Sequence, residues 1–382
     1  MEQHFGVAPH LAAGVGSFED LLSLADVDGA LTGSELRHPA VRVVRDGQTI
    51  AATRYTRSAR TGATRLDDVV DPARLLALFA EGSTVVFHHL HRWWPPLTAL
   101  CRDLELALGH AVQANAYLTP PGAAGLAAHH DTHDVFVLQV TGAKSWVVRE
   151  PLIELPLPRH GADHDAAPHQ PVGSEIELAA VDALYVPRGY IHAATAQEGL
   201  SLHLTLGVLG TTVHDVLGAL FDRAADDLRF RRLLPVGHPF DADVAQRAVK
   251  EAVAELVKWL GEVDTTAVAD TMSKRFVAGR RSPLDGQLLE LAGLDLIDDA
   301  TVVHCRSGSL HRMRAEGQSL VLTLGDRQLT LPVALDAAVT RLADGDARPV
   351  SDLSDLLDGP SRVVLVRRLV REGLLRTGGS AP

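Results

Sequence analysis

Two cysteines in 382 residues exclude a disulfide scaffold. Cys101 and Cys305 stand about 200 residues apart and match no metal or redox spacing, so they read as buried free thiols of a reducing cytosol. Positive charge is also scarce: 36 Lys and Arg face 48 Asp and Glu, a formal charge of −12. That excludes a protein that grips nucleic acid through a basic surface, because phosphate neutralisation needs clustered Lys and Arg. A basic partner is easier to accommodate. No segment has the ~18 uninterrupted apolar residues that span a bilayer, and the start of the chain lacks the positive n-region and apolar stretch of a secretory leader. A cytoplasmic protein with no membrane partner is expected. There is no internal repeat and no low-complexity tract. What is present is 46% hydrophobic residues, which excludes disorder, and 19 histidines. At roughly 100 to 200 residues per domain the length predicts two or three units.

Up to about Arg102, helical patterns at residues 17–24 and 71–80 alternate with short apolar runs at 41–44 and 84–87, which reads as mixed α/β scaffolding. The next hundred residues carry short β-rich runs at 114–118, 135–140, 145–148, 175–178, 183–186 and 202–208, punctuated by turn residues. This is the pattern of an antiparallel barrel or sandwich. From 211 to 281 the period becomes helical, clearest at 241–261, where Val244, Ala248, Val253, Leu256 and Leu260 fall near one face. Arg280-Arg281-Ser282-Pro283 reads as a linker. Beyond it, Gly325-Asp326 joins two β runs as a hairpin, with helices expected at 334–342 and 361–372. Helices with a two-stranded wing suggest a winged-helix module. The slight acidic excess of residues 284–382 favours a structural or protein-contact role over sequence-specific DNA reading.

The chemistry concentrates in His129-His130-Asp131-Thr132-His133-Asp134. In an extended strand residues i and i+2 point to one side, so His129 and Asp131 converge while His130 faces away. Some 60 residues on, His192 follows the turn Pro187-Arg188-Gly189 at the end of an apolar strand. Two histidines and one carboxylate on one face form the triad that binds non-haem Fe(II) and leaves three coordination positions open, as a chelating 2-oxo acid and dioxygen require. An isolated H-x-D pair also arises by chance. Lys144 opens the strand after the turn Thr141-Gly142, where it is either an ordinary surface lysine or a cation pointing inward to meet an anion such as the distal carboxylate of 2-oxoglutarate. His133 could share the metal-facing side by alternation but is read as a pocket or surface residue. His203 is read as pocket wall or core, and Trp93-Trp94 as packing.

Taken in order, Asn115-Ala116-Tyr117-Leu118-Thr119-Pro120-Pro121-Gly122, the His129/Asp131 pair, Asp134-Val135-Phe136-Val137-Leu138-Gln139 and Gly142-Ala143-Lys144-Ser145-Trp146 form one series. Leu184-Tyr185-Val186-Pro187-Arg188-Gly189, His192 and Ser201-Leu202-His203-Leu204-Thr205 complete it. The series resembles the JmjC-type ribosomal oxygenases of the cupin superfamily.

The resemblance implies an α+β protein with three parts. These are a double-stranded β-helix (jelly-roll, JmjC) domain over 1–210, a helical dimerisation domain over 211–281, and a C-terminal winged-helix domain over 282–382. It implies that His129, Asp131 and His192 ligate Fe(II), that Lys144 pairs with the C5 carboxylate of 2-oxoglutarate, and that Tyr117 and Asn115 border the same pocket. Ser201 and Thr205 lie on a matching strand and are carried over as cofactor contacts. The extra imidazoles of His130 and His133 depart from the family pattern. The implied reaction is hydroxylation by dioxygen of an Arg or His side chain of a basic ribosomal protein, performed by a homodimer. Two alternatives remain at this point. One is a 2-oxoglutarate oxygenase acting on a peptide or small biosynthetic intermediate. The other is a non-catalytic, metal-binding cupin sensor.

Overall fold

In the computed structural model, which describes residues 5–161 and 169–378, the strands of the first half build two antiparallel sheets that face each other. The chain divides into two units, Met1–Gly210 and Thr211–Pro382. Residues 1–4, read above for a leader, lie outside the described residues. Among the described residues no helix is long and apolar enough to cross a membrane.

The first unit holds fourteen strands among its described residues. In chain order they are β1 (His10–Ala12), β2 (Val41–Arg45), β3 (Gln48–Thr49), β4 (Thr56–Thr61), β5 (Thr64–Val70), β6 (Thr84–Phe87) and β7 (Ala111–Thr119). There follow β8 (His129–His130), β9 (Asp134–Thr141), β10 (Ala143–Arg149), β11 (Val172–Ala179), β12 (Ala183–Val186), β13 (Ile191–Ala196) and β14 (Ser201–Leu209). One sheet runs β1-β12-β9-β14-β7-β6-β2-β3, the other β11-β10-β13-β8, and β4 and β5 form a separate ribbon.

Alternation decides what each face of the large sheet does. On β7 and β14 the even-numbered residues Val112, Ala114, Ala116, Leu118, Leu202, Leu204, Leu206 and Val208 enter the main apolar core. The odd-numbered residues Asn115, Tyr117, Thr119, Ser201, His203 and Thr205 lie on the opposite face, toward the second sheet. Three helices cover the apolar face: α1 (Leu24–Gly33), α2 (Pro72–Ala80) and α3 (Pro95–Leu108), through residues such as Val27, Leu31, Leu75, Leu78, Leu97 and Cys101.

Local chemistry sets where these helices begin. Asp71 caps α2 by accepting from Arg74 N–H, with Pro72 in the first turn. The helical pattern read at residues 17–24 belongs instead to turns. The helix starts at Leu24 because Ser23 and Asp26 form a reciprocal capping box. Trp94 packs against the core and donates its indole N–H to the Leu21 carbonyl at 2.8 Å. Cys101 is buried and its thiol is pushed up to about 12 by burial, whereas Cys305, read as buried, is only half-buried; both are free.

The second unit opens with α4 (Val213–Ala224), α5 (Ala242–Leu260) and α6 (Thr265–Ala278). After α7 (Gln287–Ala292) come β15 (Val302–Cys305), β16 (His311–Glu316), β17 (Ser319–Leu324), β18 (Arg327–Pro332) and α8 (Asp336–Ala343). The last elements are β19 (Arg348–Pro349), α9 (Gly359–Arg371) and β20 (Leu375–Thr377). The expected hairpin is present, with Leu324 paired to Arg327 across Gly325-Asp326, and β16 extends it to three strands. The single apolar face read on residues 241–261 resolves into two stripes. Ala248 and Trp259 are buried, whereas Val249, Val253, Val257 and Leu260 are exposed.

Candidate metal centre

Two short strands place the histidines. β8 and β13 pair antiparallel with His129 directly opposite His192, and the two ring centroids are 4.5 Å apart. Asp131 lies just past the end of β8, so strand alternation alone does not place it. Its backbone carbonyl accepts from Gly189 N–H at 3.0 Å, which ties it to the turn leading into β13. That turn requires glycine: Gly189 has φ +90°, and a Cβ there would lie 2.6 Å from the Ile153 carbonyl. Asp131 Oδ2 is 3.6 Å from His192 Nε2, and one ligand atom from each of His129, Asp131 and His192 falls within 4.8 Å of the others.

The histidine tautomers follow from the backbone. Nδ1 of His129 is 2.8 Å from the Ala127 carbonyl, and Nδ1 of His192 is 3.2 Å from the Tyr190 carbonyl. A carbonyl only accepts, so each Nδ1 carries a proton and Nε2 is the ring nitrogen left to face a metal. Burial, reinforced by His129, drives His192 down to about 4, although Asp131 pulls the other way. Burial pushes the Asp131 carboxyl up, but the imidazoles of His192, His133, His129 and His130 outweigh it and hold the group below its ordinary value. A neutral His192 beside an ionised Asp131 is what a divalent cation requires of its ligands.

The triad lines a pocket of about 450 Å³, counted out to its open mouth, together with Tyr117, Lys144, Trp146, His203 and Thr205. Lys144 is 1% exposed and donates to Thr119 Oγ1 at 2.8 Å. Thr119 Oγ1 also accepts from the Thr84 hydroxyl at 3.2 Å. Among the described residues no carboxylate pairs with Lys144, and burial lowers its pKa to about 7. Trp146 Nε1 and His203 Nδ1 are likewise buried without hydrogen-bond partners. Three polar groups short of partners, in one pocket with a His–Asp–His cluster, suit a metal carrying a chelated organic anion.

The remaining sequence candidates are placed as follows. Tyr117 stacks on His203, centroids 4.8 Å apart and planes within 4°, and Thr205 lines the pocket. Asn115 and Ser201 stand in the wall behind the pocket's lining. Asn115 Oδ1 accepts from His89 N–H at 2.9 Å, and Ser201 Oγ accepts from Gln139 Nε2 at 2.8 Å. His130 turns to the other side of β8, its Nε2 3.4 Å from the His160 carbonyl. His133 is outside the cluster and rests on Gly207. The sequence reading gave no role to Thr119, the partner of Lys144, although it shares the face of Asn115 and Tyr117 by alternation.

Residues 94–216 match the JmjC domain profile. The chain is 30% identical to ribosomal oxygenase 1 of Rattus norvegicus over 340 residues, which cover 80% of this chain and 55% of the rat protein. It spans about half the length of the curated relatives it matches. The fold is similar to that of Escherichia coli YcfD, with TM-score 0.59 and 18% identity over 99% of this chain and 96% of that one. A second structure of YcfD, in complex with cobalt and 2-oxoglutarate, is similar with TM-score 0.54 and 18% identity over 99% and 97% of the two chains. The profile takes in β7 to β14, the strands that build the pocket, so residues 94–216 carry a JmjC domain, and along most of its length the chain is similar to ribosomal oxygenases.

Proposed function

We propose that this protein is an Fe(II)- and 2-oxoglutarate-dependent oxygenase that hydroxylates an Arg or His side chain of a basic ribosomal protein. The observation that carries the reading is the buried Lys144 ammonium, without a carboxylate partner among the described residues, in the same pocket as the His129–Asp131–His192 cluster. In this reading the three cluster residues hold Fe(II) and Lys144 pairs with the distal carboxylate of 2-oxoglutarate. Tyr117 and Thr205 border the co-substrate, while Asn115 and Ser201 brace the wall behind it. The names of the ribosomal oxygenase relatives support the substrate class, and the complex of YcfD with cobalt and 2-oxoglutarate supports the cofactor pair.

When bound, the metal supplies activation of dioxygen: 2-oxoglutarate, dioxygen and a C–H bond become succinate, carbon dioxide and C–OH. The chain's own residues orient and exclude. The Ala127 and Tyr190 carbonyls hold the imidazoles in one tautomer, the Gly189 amide fixes Asp131, and Val135, Val137 and Trp146 keep the pocket wall apolar around the reacting end. A net charge of −12 favours encounter with a basic protein.

The proposal extends to the second unit. The exposed stripe Val249, Val253, Val257 and Leu260 on α5 supports a homodimer formed through the helical segment 211–281. The hairpin β17–β18 beside α8 and α9 supports a winged-helix domain over 282–382 with no sequence-specific DNA role. The cytoplasm is where such a substrate is made.

Accurate mass spectrometry of all ribosomal proteins from cells with and without this gene tests the function. One ribosomal protein lighter by a single oxygen atom in the mutant is expected. No change in any of them removes the ribosomal substrate.

A further inference from the structure

His203 stands between the two ends of the pocket. Along β14 the residues facing the second sheet are Ser201, His203 and Thr205, paired across β7 with Thr119, Tyr117 and Asn115. Lys144 bonds to Thr119, in the first of these rows. On the facing sheet Lys144 is opposite Ala196, while His192 is opposite Val148, four residues further along β10. At about 3.3 Å per residue that is about 13 Å of strand. A ligand that joins the ammonium to the triad therefore lies across the row formed by Tyr117 and His203.

The imidazole is built for contact with such a ligand. His203 is 4% exposed, lines the pocket, lies flat on Tyr117, and meets the edge of Trp146 at 5.6 Å and 75°. These two rings fix its plane. Its Nδ1 is nevertheless buried with no hydrogen-bond partner, a state that native proteins rarely leave unanswered. Burial, Lys144 and His192 all disfavour its protonation. A neutral imidazole can donate without adding a second positive charge beside the ammonium.

We propose that His203 is a positioning residue for the co-substrate, its ring nitrogen hydrogen-bonding the distal carboxylate beside Lys144 while Tyr117 and Trp146 hold the ring in one orientation. This rests on the reading of the pocket as a 2-oxo acid site and adds to it a residue that neither the triad nor Lys144 replaces. The neutral partner gives the carboxylate a direction, which a lone ammonium with its freely rotating donors does not.

Binding to the cobalt-loaded full chain, followed by tryptophan fluorescence without turnover, tests the assignment. His203→Phe keeps a stacking ring and removes both nitrogens, and His203→Asn returns a donor near the place of Nδ1. The expected result is that His203→Phe weakens 2-oxoglutarate binding about tenfold or more, while cobalt affinity and thermal midpoint stay at wild-type values and His203→Asn recovers most of the loss. 2-Oxobutyrate, which lacks the distal carboxylate, should bind wild type and His203→Phe alike. Wild-type affinity for 2-oxoglutarate in His203→Phe overturns the proposal, as does an equal loss for both acids. If His203→Phe does not fold, the Asn variant alone decides, since a loss of 2-oxoglutarate binding in it as large as in Lys144→Met leaves no role for the donor. Failure of cobalt-loaded wild type to bind 2-oxoglutarate at all would instead defeat the functional reading beneath it.

Discussion

His129 and His192 are direct cross-strand partners in β8 and β13, so the two imidazoles reach one point through a backbone pairing and not through a flexible loop. Asp131 supplies the only carboxylate of the cluster. Asp131→Ala should therefore lower cobalt affinity on the order of 100-fold or more while leaving the fold intact, because the bond to Gly189 is made by the backbone carbonyl, which alanine keeps. Isothermal titration of the metal-free protein measures this. Unchanged cobalt binding would show that the cluster is not the metal site.

Lys144 gives a pH dependence whose sign is determined. Its pKa falls from the ordinary 10.5 to about 7 on folding, so between these values the unfolded chain binds more protons than the folded one. Stability of the metal-free protein should rise with pH across that window. Affinity for 2-oxoglutarate should do the opposite, weakening by up to about tenfold per pH unit above the pKa as the ammonium is lost. Urea midpoints and ligand titrations from pH 6.5 to pH 9, wild type against Lys144→Met, isolate this group. A pH profile identical in the two proteins would contradict the assignment.

Gly207 and His133 form a steric pair. A Cβ on Gly207 would lie 2.6 Å from both Cδ2 and Nε2 of the His133 ring. Gly207→Ala should destabilise by about 1–3 kcal/mol through this clash, and His133→Ala should relieve most of it. A double-mutant cycle by urea unfolding reads the coupling. Additive effects of the two substitutions would mean that the ring is free to move aside.

Legibility differed by element for physical reasons. The strands at 135–140, 183–186 and 202–208 were readable because alternation and turn residues mark them. The helix at 241–261 was equally plain from its period, but its two apolar stripes lie next to each other on the wheel. Only tertiary packing separates Ala248 and Trp259 from Val249 and Val253. The H-x-D pair was visible, yet the reason for its convergence was not. Two residues of β8 are too short to read as a strand, and the Gly189 bond that holds Asp131 spans 58 residues of sequence. The partnerless nitrogens of Trp146 and His203 exist only once the two sheets face each other.

The exposed stripe on α5 yields a further prediction. Val253→Asp should convert a dimer to monomer at micromolar concentration, since a charge in the centre of an apolar interface is left without a partner. Light scattering of wild type and variant decides it. A wild-type protein that is monomeric at that concentration would remove the proposed dimer.

The odd-even division of β14 separates two kinds of selection on nine consecutive residues. His203 and Thr205 line the pocket and Ser201 bonds Gln139 in the wall behind it, while Leu202, Leu204, Leu206 and Val208 pack in the core. A lineage can therefore exchange what the pocket recognises by substitutions at alternate positions while the packing that folds the strand is inherited unchanged. Variant libraries confined to the odd positions of β7 and β14 should for the same reason return folded proteins more often than libraries of equal size spread over both.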